Sequence, residues 1–158
     1  MITVSGKNLQ QLIPLASQWA AAKERAALEN GKPLTADQLA DAAAIGVHHP
    51  ETVRVFLVAQ IPYPKHPILK AATDATRLIS EDTAGITFQY GIFIRSEFSR
   101  DRYLLAHELA HTAQYETFGS IPAFMERYLN ECFAYGYENA PLEKAADEIA
   151  RRVMSRQP

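Results

Sequence analysis

Cys132 is the only cysteine in 158 residues, so no internal disulfide framework can form. That suits a reducing compartment, or a fold that does without bridges. No run of residues is long and apolar enough to predict a membrane-spanning helix. A large excess of either charge is also missing. The formal net charge of −2 leaves no basic footprint for nucleic acid and no polybasic signal for an anionic membrane. The first residues, Met1 to Asn8, lack a basic segment followed by an apolar stretch, so no signal peptide is read there and a cytoplasmic protein is expected. Internal repeats and low-complexity blocks are absent. What remains is an ordinary globular composition, 47% hydrophobic and 22% charged. The length predicts a single domain, 1–158, large enough to bury its own core.

Apolar residues at Leu9, Leu12, Ile13, Ala16, Trp19 and Ala20 recur with helical spacing between Asn8 and Asn30. Pro14 predicts a kink or a late start within that helix, and Gly31 and Pro33 end it. Thr35 with Gln38 reads as a capping box for a short helix over Ala36 to Ile45, closed by Gly46. Val53 to Ala59 reads as a buried strand. The proline-rich stretch from Ile61 to Pro67 is a stiff connection, followed by a helix over Ile68 to Leu78. Gly85 to Phe88 and Gly91 to Arg95 are two short strands about Gln89-Tyr90, either a hairpin or one bent strand. Ser99 caps a helix running to Phe118, with Gly119 as its stop. Ser120 and Pro122 open another, ending near Gly136. Asn139 and Pro141 open the last, with Leu142, Ala145, Ala146, Ile149, Val153 and Met154 as its inner stripe. Helices, a small sheet and three further helices predict an α+β fold. Residues 1–80 form its helical first part and first strand, and 85–158 its core.

The string His107-Glu108-Leu109-Ala110-His111 lies in the middle of one predicted helix. Residues four apart share a helix face, so both imidazoles can reach one ion at about 2 Å. Glu108, one step round, reaches a water on that ion rather than the ion itself. Zinc lowers the pKa of such a water to about 7, and the acid beside it can act as base and then as acid. Leu104, Leu105, Leu109 and Ala110 make this a buried helix, in which unpaired His and Glu would be costly.

A catalytic zinc site has three protein ligands and one open position. His48, His49 and His66 lie upstream in loop-like segments and read as surface residues. No further histidine follows the motif, so a carboxylate on a later helix is the expected third ligand. Glu143 and Glu131 are the candidates. Glu143 is favoured because Asp147, four residues on, shares its face and can accept the second N–H of a ligand histidine. Glu131 has Tyr135 at that position, a poorer partner.

The segment Tyr103-Leu-Leu-Ala-His-Glu-Leu-Ala-His-Thr-Ala-Gln-Tyr-Glu resembles the active-site helix of gluzincin metallopeptidases. Asn139-Ala-Pro-Leu-Glu-Lys-Ala-Ala-Asp looks like their second motif. The compact minigluzincins and the soluble counterparts of the CAAX prenyl protease family are the nearest likenesses. The matched part runs from about Gly85 to Arg152, and the first 80 residues match nothing named. The resemblance implies a zincin-like fold, one zinc ion on His107, His111 and Glu143, and an acidic support at Asp147. It also implies a tyrosine that stabilises the oxyanion, here Tyr137 or Tyr135. It further implies an edge strand above the active-site helix, at Gly91, Ile92, Phe93 and Ile94, to which an extended peptide adds as a strand.

The expected activity is zinc-dependent hydrolysis of peptide bonds in a peptide or protein substrate, with Glu108 activating the water. The alternative is a metal-binding regulatory or interaction module of the same fold without peptidase activity. The helices ahead of the motif could also cover the cleft and hold the enzyme latent.

Overall fold

The structure, a computed structural model, describes residues 6–156; residues 1–5, within the stretch read above for a leader, and 157–158 lie outside it. The chain is mixed α and β, as expected. Its first helix, α1 (Gly6–Asn30), continues across Pro14 without a break. Pro14 sits on the exposed side, where solvent can take the carbonyl that the missing N–H leaves unpaired. The buried face of α1 carries Leu12, Ala16, Ala20 and Ala27 and packs on the sheet and on a later helix. It is part of the core. Next come the two-residue strand β1 (Lys32–Pro33) and α2 (Ala36–Ile45). The capping box of α2 is formed: Thr35 accepts the Gln38 N–H and Gln38 accepts the Thr35 N–H. Gly46 closes the helix in the left-handed region.

Strand β2 (Arg54–Val58) leads into α3 (Pro67–Thr76), whose first turn is capped by the His66 imidazole accepting the Ile68 N–H. Strands β3 (Gly85–Phe88) and β4 (Gly91–Arg95) form a hairpin. Phe88 pairs with Gly91, and Gln89 takes a positive φ in the two-residue turn. The sheet order is β1-β2-β4-β3, with β2 and β4 parallel and the other pairs antiparallel.

That order corrects one expectation. Gly91, Ile92, Phe93 and Ile94 do not form an edge strand, because β4 is paired on both sides and all four residues are buried. The crossover through α3 returns the chain so that the second arm of the hairpin, not the first, meets β2. Of the two hairpin arms, β3 is the one at a sheet edge, with β1 at the other. The sheet also joins the two halves of the sequence, since β1 and β2 come from one and β3 and β4 from the other.

Alternation along β4 divides the core. Phe93 faces a cluster with α1, Phe88 and the aromatic residues of later helices. Ile92 and Ile94 face the opposite cluster, with Leu34, Ala42, Val53 and Leu109. Gly91 is where α1 crosses: a Cβ there would stand 2.8 Å from the Cβ of Ala27 and 3.1 Å from the Glu24 backbone.

Three helices complete the chain: α4 (Arg102–Phe118), α5 (Ile121–Tyr135) and α6 (Pro141–Met154). Ser99 does not cap α4; it ends a 3₁₀ turn over Ser96–Phe98. The cap is Asp101, whose carboxylate accepts the Leu104 N–H at 2.9 Å, and a negative charge also suits a helix N-terminus. Helix α4 is packed from several sides: by β3, α2, α5 and, most extensively, α6. No helix among the described residues is long and apolar enough to cross a membrane.

The inner stripe of α6 also differs from expectation. Glu143, Ala146, Ala150 and Val153 are buried, whereas Ala145 and Met154 are exposed. Asn139 belongs to a separate 3₁₀ turn, Tyr137–Asn139, and α6 starts at Pro141 behind an uncapping Ala140. Apolar periodicity placed the stripe on its most hydrophobic residues. Packing instead turns the helix so that a carboxylate enters the interior, where α4 supplies its partners.

Candidate metal centre

His107 and His111 lie on adjacent turns of α4, as their spacing requires. Their Nε2 atoms are 3.2 Å apart. Glu143 enters from the first turn of α6 and faces both. Its Oε1 lies 3.0 Å from the His107 Nε2 and its Oε2 lies 3.0 Å from the His111 Nε2. These three residues could hold a metal ion, since one donor atom from each falls within 4.8 Å of the others. Among the described residues this is the one such group of His, Cys, Asp and Glu.

Each donor is held from behind. Asp147, one turn beyond Glu143, places Oδ1 2.9 Å from the His107 Nδ1. Tyr103 donates its hydroxyl to the same Oδ1 at 3.2 Å. The His111 Nδ1 meets Gln114 Oε1 at 2.8 Å, and Gln114 donates its Nε2 to the Leu142 carbonyl at 3.0 Å. Gln114 therefore ties α4 to the start of α6. The Tyr128 hydroxyl donates to Glu143 Oε2 at 2.6 Å. Partners of this kind set the imidazole tautomers and orient the ligands. Sequence spacing pointed to Asp147 alone. Gln114 carried a signal in its i+3 position relative to His111, whereas Tyr128, on another helix, carried none.

Glu131 is resolved by the same geometry. It is buried, but its Oε1 accepts the Leu142 N–H at 2.8 Å and its Oε2 accepts the Arg127 Nε–H at 2.8 Å. Ala140 offers no side chain to cap α6, so Glu131 fills that role from a neighbouring helix. It braces the turn that carries Glu143 and does not join the donors.

Glu108 is 4% exposed and points off the donor cluster toward β3. Its Oε2 lies 4.0 Å from the His107 Nε2. Its Oε1 is held by the Thr87 hydroxyl at 2.7 Å, and Thr87 Oγ1 also lies 3.0 Å from the Glu108 carbonyl. Thr87 is buried on the edge strand, on the α4 side, as alternation from Phe88 dictates. Gly85, two residues back, leaves room here: a Cβ would stand 3.3 Å from Glu108 Cγ.

The electrostatics follow from burial and proximity. Burial pulls the His111 imidazole down, but Glu143, by charge and hydrogen bond, outweighs it and holds the pKa up at about 9. His107 is raised too: burial again opposes, and the hydrogen bond to Glu143 and the charge of Glu108 prevail. For Glu143, burial acts upward while His111 and His107 drive the carboxyl well below its ordinary value. Burial first, then the Glu143 charge, raises the Tyr128 and Tyr137 phenols, so both remain protonated donors. A compact group of this kind, without a cation, shares protons; with one, it offers two imidazole nitrogens and a carboxylate.

Two hollows meet at the site. A cavity of about 90 Å³ lies on one side, and a far wider cleft lies on the other. They share Thr76, Ile79, Gly85, His107, Glu108 and Tyr137. Tyr137 thus stands with Glu108 where the two hollows join. Tyr135 is 60% exposed and lines neither. His48, His49 and His66 are exposed and away from the centre. The backbone N–H groups of His48 and His49 bind Glu116, and the His66 ring caps α3.

Comparison with models of protein families, with curated proteins and with solved structures finds no match for this chain.

Proposed function

We propose that this chain is a zinc-dependent peptide hydrolase with a zincin-like arrangement of the gluzincin kind. The observation that carries the reading is the convergence of His107, His111 and Glu143, with one carboxylate oxygen of Glu108 left 4.0 Å from the His107 Nε2. Two imidazoles and one carboxylate fit zinc in both chemistry and number, and three protein donors leave a coordination position open. Zinc bound there would polarise the scissile carbonyl and acidify a water.

The remaining steps belong to the chain. Glu108 takes a proton from the attacking water as its oxygen bonds to the carbonyl carbon. It then delivers a proton to the amine nitrogen as the C–N bond breaks. Thr87 keeps one Glu108 oxygen occupied, so the other is the one that exchanges protons. Tyr137, kept protonated by burial, is the proposed donor to the oxyanion. Asp147, Gln114 and Tyr128 keep the donors in place, and little reorganisation is left for the reaction itself. The strand bordering both the site and the apolar cavity is β3, and an extended substrate is proposed to pair there.

The test is Glu108→Gln. The variant is expected to bind one equivalent of zinc as the parent does and to lose peptide hydrolysis by at least about a hundredfold. Cleavage of a mixed peptide pool at the parental rate by this variant would end the peptidase reading.

A further inference from the structure

Strand β3 has a free edge, and the cavity of about 90 Å³ runs along it. Alternate residues of a strand face opposite ways, yet all four residues of β3, Gly85, Ile86, Thr87 and Phe88, line the cavity. Only the side not paired with β4 borders both faces, so the hollow lies against the unpaired backbone. Helix α3 faces the strand across it with Leu69, Ala72, Thr73 and Thr76. A helix laid over an edge strand keeps it from pairing with other chains. Of β3, the wide cleft reaches Gly85 alone. The space under α3 is smaller than the roughly 150 Å³ apolar cavity that takes a benzene ring, too little for a length of backbone. An extended chain therefore cannot pair with β3 while α3 lies where it does.

Apolar contact alone holds this cover down. Among the described residues no hydrogen bond or ion pair ties residues 61–79 to the rest of the chain; each bond they make has both partners inside the segment. Ile61, Leu69 and Ile79 are buried in the cluster shared with α1, the element on which α3 mainly packs. The segment itself is braced. Pro62, Pro64 and Pro67 stiffen the arm that leads into α3. His66 caps the helix, and the Tyr63 hydroxyl donates to Asp74. Its flanks are pinned to the sheet and the turn after it. The Val58 carbonyl accepts the Ser96 hydroxyl at 3.2 Å, and the Ala84 carbonyl accepts the Arg95 N–H at 2.9 Å. A braced unit with fixed flanks and no polar tie between them is suited to open as one body.

We infer that residues 61–79 form a lid over the β3 edge, which lifts off α1 as a unit to let an extended peptide pair there and cross the metal centre. The inference rests on the proposed hydrolysis, with its substrate paired to β3. Thr76 and Ile79 line both hollows. Raising them joins cavity and cleft into one groove past His107 and Glu108.

Native-state hydrogen exchange on zinc-loaded full-length protein reads the lid directly. The amides of α3 are expected to share one opening with a shallow dependence on denaturant. They should exchange at least about a hundredfold faster than the buried amides of α4, which wait for global unfolding. Acetohydroxamate, which needs only the metal, should leave α3 exchange as it was. A hydroxamate carrying a four-residue extended peptide should speed it by at least about tenfold, because the chain takes the place of the helix. Leu69→Ala removes a contact that holds the lid down. It is expected to tighten the peptidyl compound by about 30-fold, with acetohydroxamate affinity unchanged. The parent protein decides even if this variant does not fold. Exchange of α3 at the rate of α4, or a spread of rates with no shared opening, overturns the lid. So does a peptidyl hydroxamate that binds and leaves α3 exchange unchanged or slower. Either result joined to peptide cleavage removes the lid and leaves the hydrolase. A shared opening that the peptidyl compound enhances, with no cleavage of any peptide, keeps the lid and removes the hydrolase. Failure to take up zinc ends the hydrolase reading, and α3 exchange in the metal-free protein then decides the lid.

Discussion

The hydroxyl of Thr87 lies 2.7 Å from one carboxylate oxygen of Glu108 and 3.0 Å from the carbonyl of the same residue. An edge strand thereby fixes the orientation of the acid on α4 that the proposed reaction depends on. A hydrogen bond to a charged group contributes about 1.5–3 kcal/mol.

Thr87→Val keeps the shape of the side chain and removes the donor. Hydrolysis by the variant is expected to fall by about 10- to 100-fold in kcat, with zinc binding unchanged. Thr87→Ser should recover most of the rate. A valine variant as fast as the parent would show that Glu108 needs no support from the strand.

Asp147 and Gln114 each meet the Nδ1 of one imidazole, His107 and His111 respectively. Asp147→Ala is expected to weaken zinc binding by about 10- to 100-fold. Gln114→Leu should do the same by releasing the His111 ring and its tie to Leu142. Competition with a chelator of known affinity measures both, and unchanged affinity would mean that the rings are held by packing alone.

Glu143 and Glu131 separate cleanly by mutation. Glu143→Ala removes a donor and should prevent stable zinc uptake. Glu131→Ala leaves the donors intact but uncaps the Leu142 N–H, so zinc stoichiometry is retained while stability falls by about 1 kcal/mol. Thermal unfolding and metal analysis of the two variants would contradict this assignment if their behaviours were exchanged.

Glu24 supplies a pH dependence away from the metal centre. Its carboxylate accepts the Tyr90 N–H where α1 crosses the β-hairpin. Burial raises its pKa above the ordinary 4.5, against the lowering effects of that hydrogen bond and of Arg25. The folded state then holds the proton more tightly than the unfolded state does. Stability is fully present below the unfolded value and declines as pH rises from 4.5 through the folded value. Glu24→Gln keeps the acceptor and cannot ionise. Its Tm should match the parent near pH 4 and exceed it increasingly at higher pH, up to a plateau. A constant difference across that range would show that the carboxyl ionises in the fold as freely as in water.

Local signals in the chain were sufficient for much of this protein. The spacing of His107 and His111 determines that they share a face, because the helical repeat acts over one turn whatever surrounds it. Thr35 with Gln38, and Gly46 and Gly119, mark helix ends through bonds made within a few residues. Glu143 and Asp147 were legible as a pair for the same reason. The tertiary structure decided what depends on distant partners. Apolar spacing alone would rotate α6 to bury Met154; contact with α4 turns Glu143 inward instead. Which arm of the hairpin is the edge depends on where β2 lies, and no residue of either arm records that. Thr87, Tyr128 and Glu131 owe their roles to carboxylates and amides that reach them only after folding. A residue's conformation is set mainly by its neighbours in sequence, whereas its chemistry at a site is set by whichever groups packing brings within hydrogen-bond distance.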